Sequence, residues 1–157
     1  NAIKAIRTGL VDVVEVIYNI FDQAPEDTLF PVCREYAVGV ISRVPFDEGT
    51  LTGTLKLDSS WPKGDWRNSY FSPENLKASV KRAESLKKIV PQDMSLSEIA
   101  LRFILSNPDV STTIPGMRKV KNVDTNVMAS GKGSLSSELV GKLRSHRWDR
   151  KPVPSAG

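Results

Sequence analysis

The stretch Met94–Asn126, MSLSEIALRFILSNPDVSTTIPGMRKVKNVDTN, decides the fold. It reads as helix, turn, short buried strand, glycine and basic helix start, a corner suited to an anion. Ser95 with Glu98 three residues on forms a capping box, and Met94 and Ile99 take the two positions of a hydrophobic staple, so a helix begins here. It should end near Ser106, because Asn107 can adopt the left-handed conformation and Pro108 cannot continue a helix. Val110–Ile114 is then a β-branched run of strand length. Pro115-Gly116 turns the chain. Gly116 admits a ligand close to the backbone, and the next helix, with Val120, Val123 and Val127 on one face, aims its free N–H groups back at that turn. Arg118, Lys119 and Lys121 stand beside those donors. An ordinary strand-to-helix connection with a solvated basic turn fits the same residues.

Upstream, the same alternation repeats. Asn1–Arg7 reads as the interior of an amphipathic helix with Gly9 as its C-cap, and Val11–Ile17 as a β-branched strand. Glu15 shares a face with Val13 and Ile17, so its carboxylate must lie near the strand's open end or find a partner. Asp27–Tyr36 is helical, and Val38–Arg43 is a second strand whose near-continuous apolar character suits a parallel sheet buried on both faces. From Val44 to Ser72, Pro45, Gly49, Gly53, Pro62 and Gly64 break up regular structure while Trp61, Trp66, Tyr70 and Phe71 are interspersed. A connection this long is a lid or binding loop, or an Ω-loop folded on its own aromatics. Ser72 caps a helix carrying Leu76, Val80, Ala83 and Val90, and Ser136 caps a last one carrying Leu139, Val140 and Leu143. The tail from Lys151 should be loosely ordered. Strands alternating with helices predict an α/β fold, a parallel sheet with helices outside and three visible strands.

Composition narrows the function. A chain of 157 residues, 39% hydrophobic and 25% charged, suits one globular domain. The net charge of +4 gathers partly at Lys142, Arg144, Arg147, Arg150 and Lys151. No aromatic stacking platform or nucleic-acid motif accompanies them, so a solvated helix end is the reading and no nucleic-acid partner is expected. Retention of acidic partners by this cluster is a lesser reading. Cys33 and His146, one of each, exclude a disulfide framework and a thiolate metal cluster, and His146 reads as a surface side chain. No apolar run reaches the ~18 residues of a membrane span and no leader opens the chain, so no membrane partner and a cytoplasmic setting are expected.

Three segments together resemble the aldo-keto reductase family, in that family's order: VVEVIYNIFDQ (Val13–Gln23), GVISRVPFDEGTLTG (Gly39–Gly53) and STTIPGMR (Ser111–Arg118) followed by Asn126. The resemblance covers nearly the whole chain and only the C-terminal half of such a protein. It implies a partial (β/α)8 TIM barrel, with these strands as its sixth to eighth, since a complete barrel takes about 250 residues. It also implies an NADP(H)-dependent oxidoreductase acting on aldehyde or ketone carbonyls. The cofactor would be held by Val44, Pro45, Phe46, Asp47, Gly49, Leu51 and Gly53, with Pro45 to Gly53 along the pyrophosphate. Ile114 would also hold it, and Gly116, Met117 and Arg118 would approach the adenosine 2′-phosphate with Arg118 its charged partner; Asn122 and Asn126 would lie near the ribose phosphate and adenine.

Two positions depart from the family. Glu15 stands where a glutamine usually bonds the nicotinamide carboxamide, and Arg43 where many members place an aromatic ring; Glu15 and Arg43 could pair with each other. The family's catalytic tyrosine, lysine, aspartate and histidine lie on the barrel's first half and have no counterpart here. Tyr18 matches a structural position of the sixth strand. The chain alone is therefore expected to be inactive and to need the other half of the barrel or self-association. The alternative is a non-catalytic nucleotide-binding or scaffold module on the same barrel.

Overall fold

Three short parallel strands carry the fold: β1 (Val13–Ile17), β2 (Gly39–Arg43) and β3 (Thr112–Thr113), side by side in that order. This computed structural model describes residues 1–150; the tail from Lys151 lies outside them. Helix α1 (Ala2–Ile6) precedes β1, and α2 (Pro25–Glu35) joins β1 to β2. Between β2 and β3 come a 3₁₀ turn (Asp47–Thr52), α3 (Arg67–Tyr70), α4 (Pro73–Lys87) and α5 (Leu96–Leu105); α6 (Val120–Gly131) and α7 (Ser137–Arg144) close the chain. The register sets Val13 opposite Gly39, Ile17 opposite Arg43 and Ile41 opposite Thr112.

The pleat decides where the core lies. Val14 and Val16 of β1 and Val40 of β2 pack with Phe30, Cys33, Leu86, Ile99, Phe103 and Ile104 from the helices. Val13 on the other face is 51% exposed, and Glu15 and Arg43 are exposed with it. The helices therefore cover one face only, so β2 is not buried on both sides as its sequence predicts. Likewise β3 is a two-residue, largely exposed ladder in place of a buried Val110–Ile114 strand, although Ser111 N–H to Val40 O (2.9 Å) and Ile114 N–H to Ser42 O (3.0 Å) extend its bonding. Both differences fit one cause: in the partial barrel that the resemblance implies, the open face would be the inner wall, which only the remaining strands can fill.

Helix α5 anchors the opening stretch. Its Ser95 Oγ accepts the Glu98 N–H at 3.1 Å, half of the predicted capping box. The Glu98 carboxylate does not return to Ser95; it accepts from Arg102 Nη1 (3.1 Å) and Lys132 Nζ (2.8 Å). The Arg102 guanidinium, nearly buried, also donates to the carbonyls of Lys132, Gly133 and Ser134 just past α6, where the helix dipole favours a cation. Asn107 stays out of the left-handed region. Its buried amide donates to Tyr18 Oη (3.0 Å) and its oxygen accepts the Asp109 N–H (3.0 Å), which is what turns the chain there. Helix α6 shows Val120 (78% exposed) and Val127 (58%) to solvent and packs through Val123, Asn126 and Ala129, a different face from the predicted valine stripe.

The long connection folds on its own rings: Trp61 stacks on Phe71 (5.1 Å, 12°), and Tyr70 meets both Phe71 and Trp66 edge-on. The basic cluster is not a free cationic face either. Lys142 pairs with Glu138, Arg144 with Glu26, Arg147 with Asp27 and Asp149, and Arg150 with Asp47, while Lys151 lies outside the described residues. His146 is half-buried; burial, then the Arg82 charge, pulls its imidazole below the ordinary value.

Candidate functional site

The loop after β2 and the segment after β3 leave the same end of the sheet, the carboxyl ends of parallel strands where barrels build their sites. Between them lies a cavity of about 250 Å³ lined by Val44, Pro45, Phe46, Glu48, Gly49, Thr52, Ile114 and Gly116. Complete small-molecule sites run ~300–1,000 Å³, so this is the size of a partial site.

Its first wall is held in an unusual backbone. Val44 (φ 55°), Asp47 (48°) and Glu48 (55°) all lie in the left-handed region, with Gly49 at 104° and Gly53 at 71°. Each non-glycine residue there costs of order 1–3 kcal/mol, most for β-branched Val44. Neighbouring bonds hold the conformation. Asn19 Nδ2 donates to Val44 O (3.0 Å), while Asn19 Oδ1 accepts the N–H groups of Phe21 and Asp22 just after β1. Thr52 Oγ1 donates to Gly49 O at 2.7 Å. Leu51 is fully buried in the core and Asp47 almost so. A Cβ at Gly53 would stand 3.0 Å from Lys87 Cε and 3.3 Å from Leu96 Cδ2. Asp47, Leu51 and Gly53 therefore hold the wall from behind and do not face the cavity.

The second wall runs irregularly from Ile114 to Lys119, without the expected turn at Pro115-Gly116. Gly116 has no left-handed φ, and a Cβ built there would meet no atom within 4 Å. Its value is the room in front of it. Asn126 Nδ2 donates to Gly116 O (3.3 Å), fixing this strip against α6. Met117, Arg118 and Asn122 are exposed beyond it. The α6 N-cap, Lys119, makes no side-chain cap bond, so the dipole's positive end faces outward beside Arg118, Lys119 and Lys121. Open space before two glycines, an uncapped helix start and three cations form a donor set that fits a phosphate-bearing ligand.

On the open sheet face, Arg43 Nε lies 4.0 Å from the Glu15 carboxylate, the pairing expected from their sequence positions. Glu48 is half-buried; burial, then Asp47, pushes its carboxyl up against the opposing pull of Arg43 and Arg150. Glu48 and Thr52 were not among the sequence-derived site residues, although both lie inside the quoted loop. Asn19 and Arg150, which shape the first wall, carry no local signal. Among the described residues no three His, Cys, Asp or Glu side chains form a metal site, and no helix is long and apolar enough to cross a membrane.

A family model described as Aldo/keto reductase family matches residues 5–147. The chain belongs to the aldo/keto reductase family. It is 28% identical over 147 residues to the uncharacterized oxidoreductase YqkF of Bacillus subtilis, covering 93% of this chain and 46% of that protein. It is 28% identical over 147 residues to the aldo-keto reductase yakc of Schizosaccharomyces pombe, whose name carries NADP(+), covering 90% of this chain and 43% of that protein. With the NADH-specific methylglyoxal reductase of Escherichia coli it shares 29% over 126 residues, 79% of this chain and 38% of that one. The chain thus spans less than half the length of the curated relatives it matches. The glycerol dehydrogenase AKR11B4 of Gluconobacter oxydans superposes with a TM-score of 0.74 at 21% identity, over 91% of this chain and 45% of that structure. The aldo-keto reductase AKR11C1 of Bacillus halodurans does so at 0.68 and 22%, over 94% and 45%. The fold of this aldo/keto reductase chain is accordingly part of a (β/α)8 barrel.

Proposed function

We propose that this chain is the cofactor-binding part of an NADP(H)-dependent oxidoreductase that reduces aldehyde or ketone carbonyls, with the other strands of the barrel completing the site. The observation that carries this reading is the cavity between the Val44–Thr52 loop and the Ile114–Gly116 strip, at the carboxyl ends of β2 and β3. A bound nicotinamide supplies the hydride. The chain's own part is to bind and orient. Pro45, Phe46 and Gly49 form the wall along the pyrophosphate, and Gly116 leaves room for it. Arg118 offers charge to the adenosine 2′-phosphate, and Asn122 lies beyond it on α6. Glu15 can accept from the carboxamide NH₂ but cannot donate to its oxygen, and Arg43 offers a planar face. The proton donor belongs to the remainder of the barrel, because Tyr18 is fully buried with its hydroxyl committed to Glu26 and Asn107.

Two of the curated relatives named above specify a cofactor and differ in it, one carrying NADP(+) and one NADH, so Arg118 is the feature that favours NADP(H) here. A cytoplasmic setting goes with the reading, since lone Cys33 is a buried free thiol. Residues 44–72, folded on their aromatics, would act as the lid.

Gly116→Val tests the proposal in the complete protein. A Cβ there touches nothing, so Tm should hold while the isopropyl group fills the cavity and the Kd for NADPH rises about tenfold or more. An unchanged Kd would overturn the site. Tight NADPH binding without oxidation by any of a panel of aldehydes and ketones would favour the non-catalytic alternative.

A further inference from the structure

Behind the cavity's first wall lies an ion pair that spans the chain. Asp47, 2% exposed, receives the Arg150 guanidinium as a fork: Nη2 on Oδ1, and Nη1 on Oδ2 at 3.3 Å. Nη1 also donates to the Tyr70 hydroxyl at 2.9 Å, which ties in the end of the long connection. The guanidinium carbon sits 4.4 Å from the Trp148 ring centroid, and that of Arg82 on α4 is equally close. Trp148 is fixed in turn by its backbone N–H, which donates to Phe21 O (2.8 Å), and by edge-on packing of its ring against the Phe21 ring. Arg150 is thus mounted on a braced platform, not on a loose tail.

Asp47 stands between Phe46 and Glu48, both of which line the cavity, and is itself one of the left-handed residues. A nearly buried carboxylate without a partner would turn out to water, and the strained peptides beside it would follow. We propose that Arg150 is a positioning residue for the dinucleotide site, holding the Phe46–Gly49 wall in its binding conformation through Asp47. This rests on the function proposed above and adds to it a residue outside the binding loops. Coupling over 103 positions makes the segment after α7 part of the site without touching the ligand.

The test uses the complete protein with Arg150→Met, Arg150→Lys, Asp47→Asn and the double variant Asp47→Asn/Arg150→Met. Amide hydrogen exchange is read at residues 46–53 without dinucleotide, and NADPH and NADH are titrated by fluorescence. Arg150→Met should speed exchange at those amides and weaken both dinucleotides by about tenfold or more, because the wall serves the shared pyrophosphate. Arg150→Lys should recover part of both losses. The double variant should bind better than Arg150→Met alone, since no unpaired buried charge remains. Unchanged exchange, or a lowered Tm with unchanged Kd in the folded protein, overturns the proposal. Gly116→Val in the same titration separates the two readings: if it weakens NADPH and Arg150→Met does not, only the positioning role falls; if neither does, both fall.

Discussion

Arg118 is exposed between Gly116 and the uncapped start of α6, so its charge is free to meet a ligand from solvent. A hydrogen bond between charged groups is worth roughly 1.5–3 kcal/mol, or about 10- to 150-fold in affinity. Arg118→Ala should therefore weaken NADPH by that factor and leave NADH nearly unchanged. Fluorescence titration at fixed ionic strength checks it; equal weakening of both cofactors would mean that Arg118 supports the strip and does not read the phosphate. Tyr18 calls for the opposite expectation. Burial, then the hydrogen bond to Glu26, holds its phenol well above the ordinary value, so it stays protonated. Its ring packs between Phe30 (5.0 Å) and Phe103 (5.9 Å). Tyr18→Phe would leave the buried Asn107 amide short of an acceptor, and should cost about 1–3 kcal/mol in a denaturant melt with no change in kcat per folded molecule.

At the scale of elements, α5 and α6 are locked by Glu98, Arg102 and Lys132. Burial alone would raise the Glu98 carboxyl, but hydrogen bonds from Lys132 and Arg102 outweigh it and hold the group below its ordinary value of 4.5. A carboxyl depressed by folding stabilises the fold above its unfolded pKa, and that contribution is lost as pH falls through the folded value. The Tm advantage of the wild type over Glu98→Gln should therefore be constant above about pH 4.5 and shrink below it. An advantage that persists into strong acid would assign the effect to packing. Arg102→Met removes more than a charge, since three carbonyls past α6 lose their donor. Breaking a buried pair costs about 3–5 kcal/mol, and the end of α6 should show the earliest hydrogen exchange in that variant.

For the molecule as a whole, the three strands leave β1 and β3 with unpaired outer edges and one sheet face bare among the described residues. Such edges and faces seek partners. Expressed by itself, the 157-residue chain should self-associate or melt without cooperativity, as sedimentation velocity and thermal melts would reveal; a monodisperse, cooperatively folding monomer would contradict this. The same chain should not oxidise NADPH with any carbonyl, because general acid–base catalysis typically supplies about 10²- to 10⁴-fold and Tyr18, fully buried with its hydroxyl committed to Glu26 and Asn107, is not placed to act as the acid. Sustained turnover would mean a proton donor other than Tyr18.

Local signals determined the order of elements, because caps, staples and β-branched runs act over a few residues: Ser72, Ser95 and Ser136 each accept the predicted N–H, and all three strands begin and end within two residues of their sequence limits, although this leaves β3 only two residues long. The family motifs likewise brought Val44, Pro45, Phe46, Gly49, Ile114 and Gly116 to one cavity. Facing and pairing were decided only by the tertiary structure. Whether β2 is covered on one side or two, or which stripe of α6 packs, depends on neighbours that a local pattern does not contain. The same holds for long-range polar pairs. Asp47 reads as one of the loop residues along the pyrophosphate until Arg150, 103 residues away, is seen to close on it, and Glu98 as a cap until Arg102 and Lys132 claim its oxygens. Sequence spacing encodes the reach of a helix turn or a strand pleat; a charge buried across the fold is set by where the chain returns.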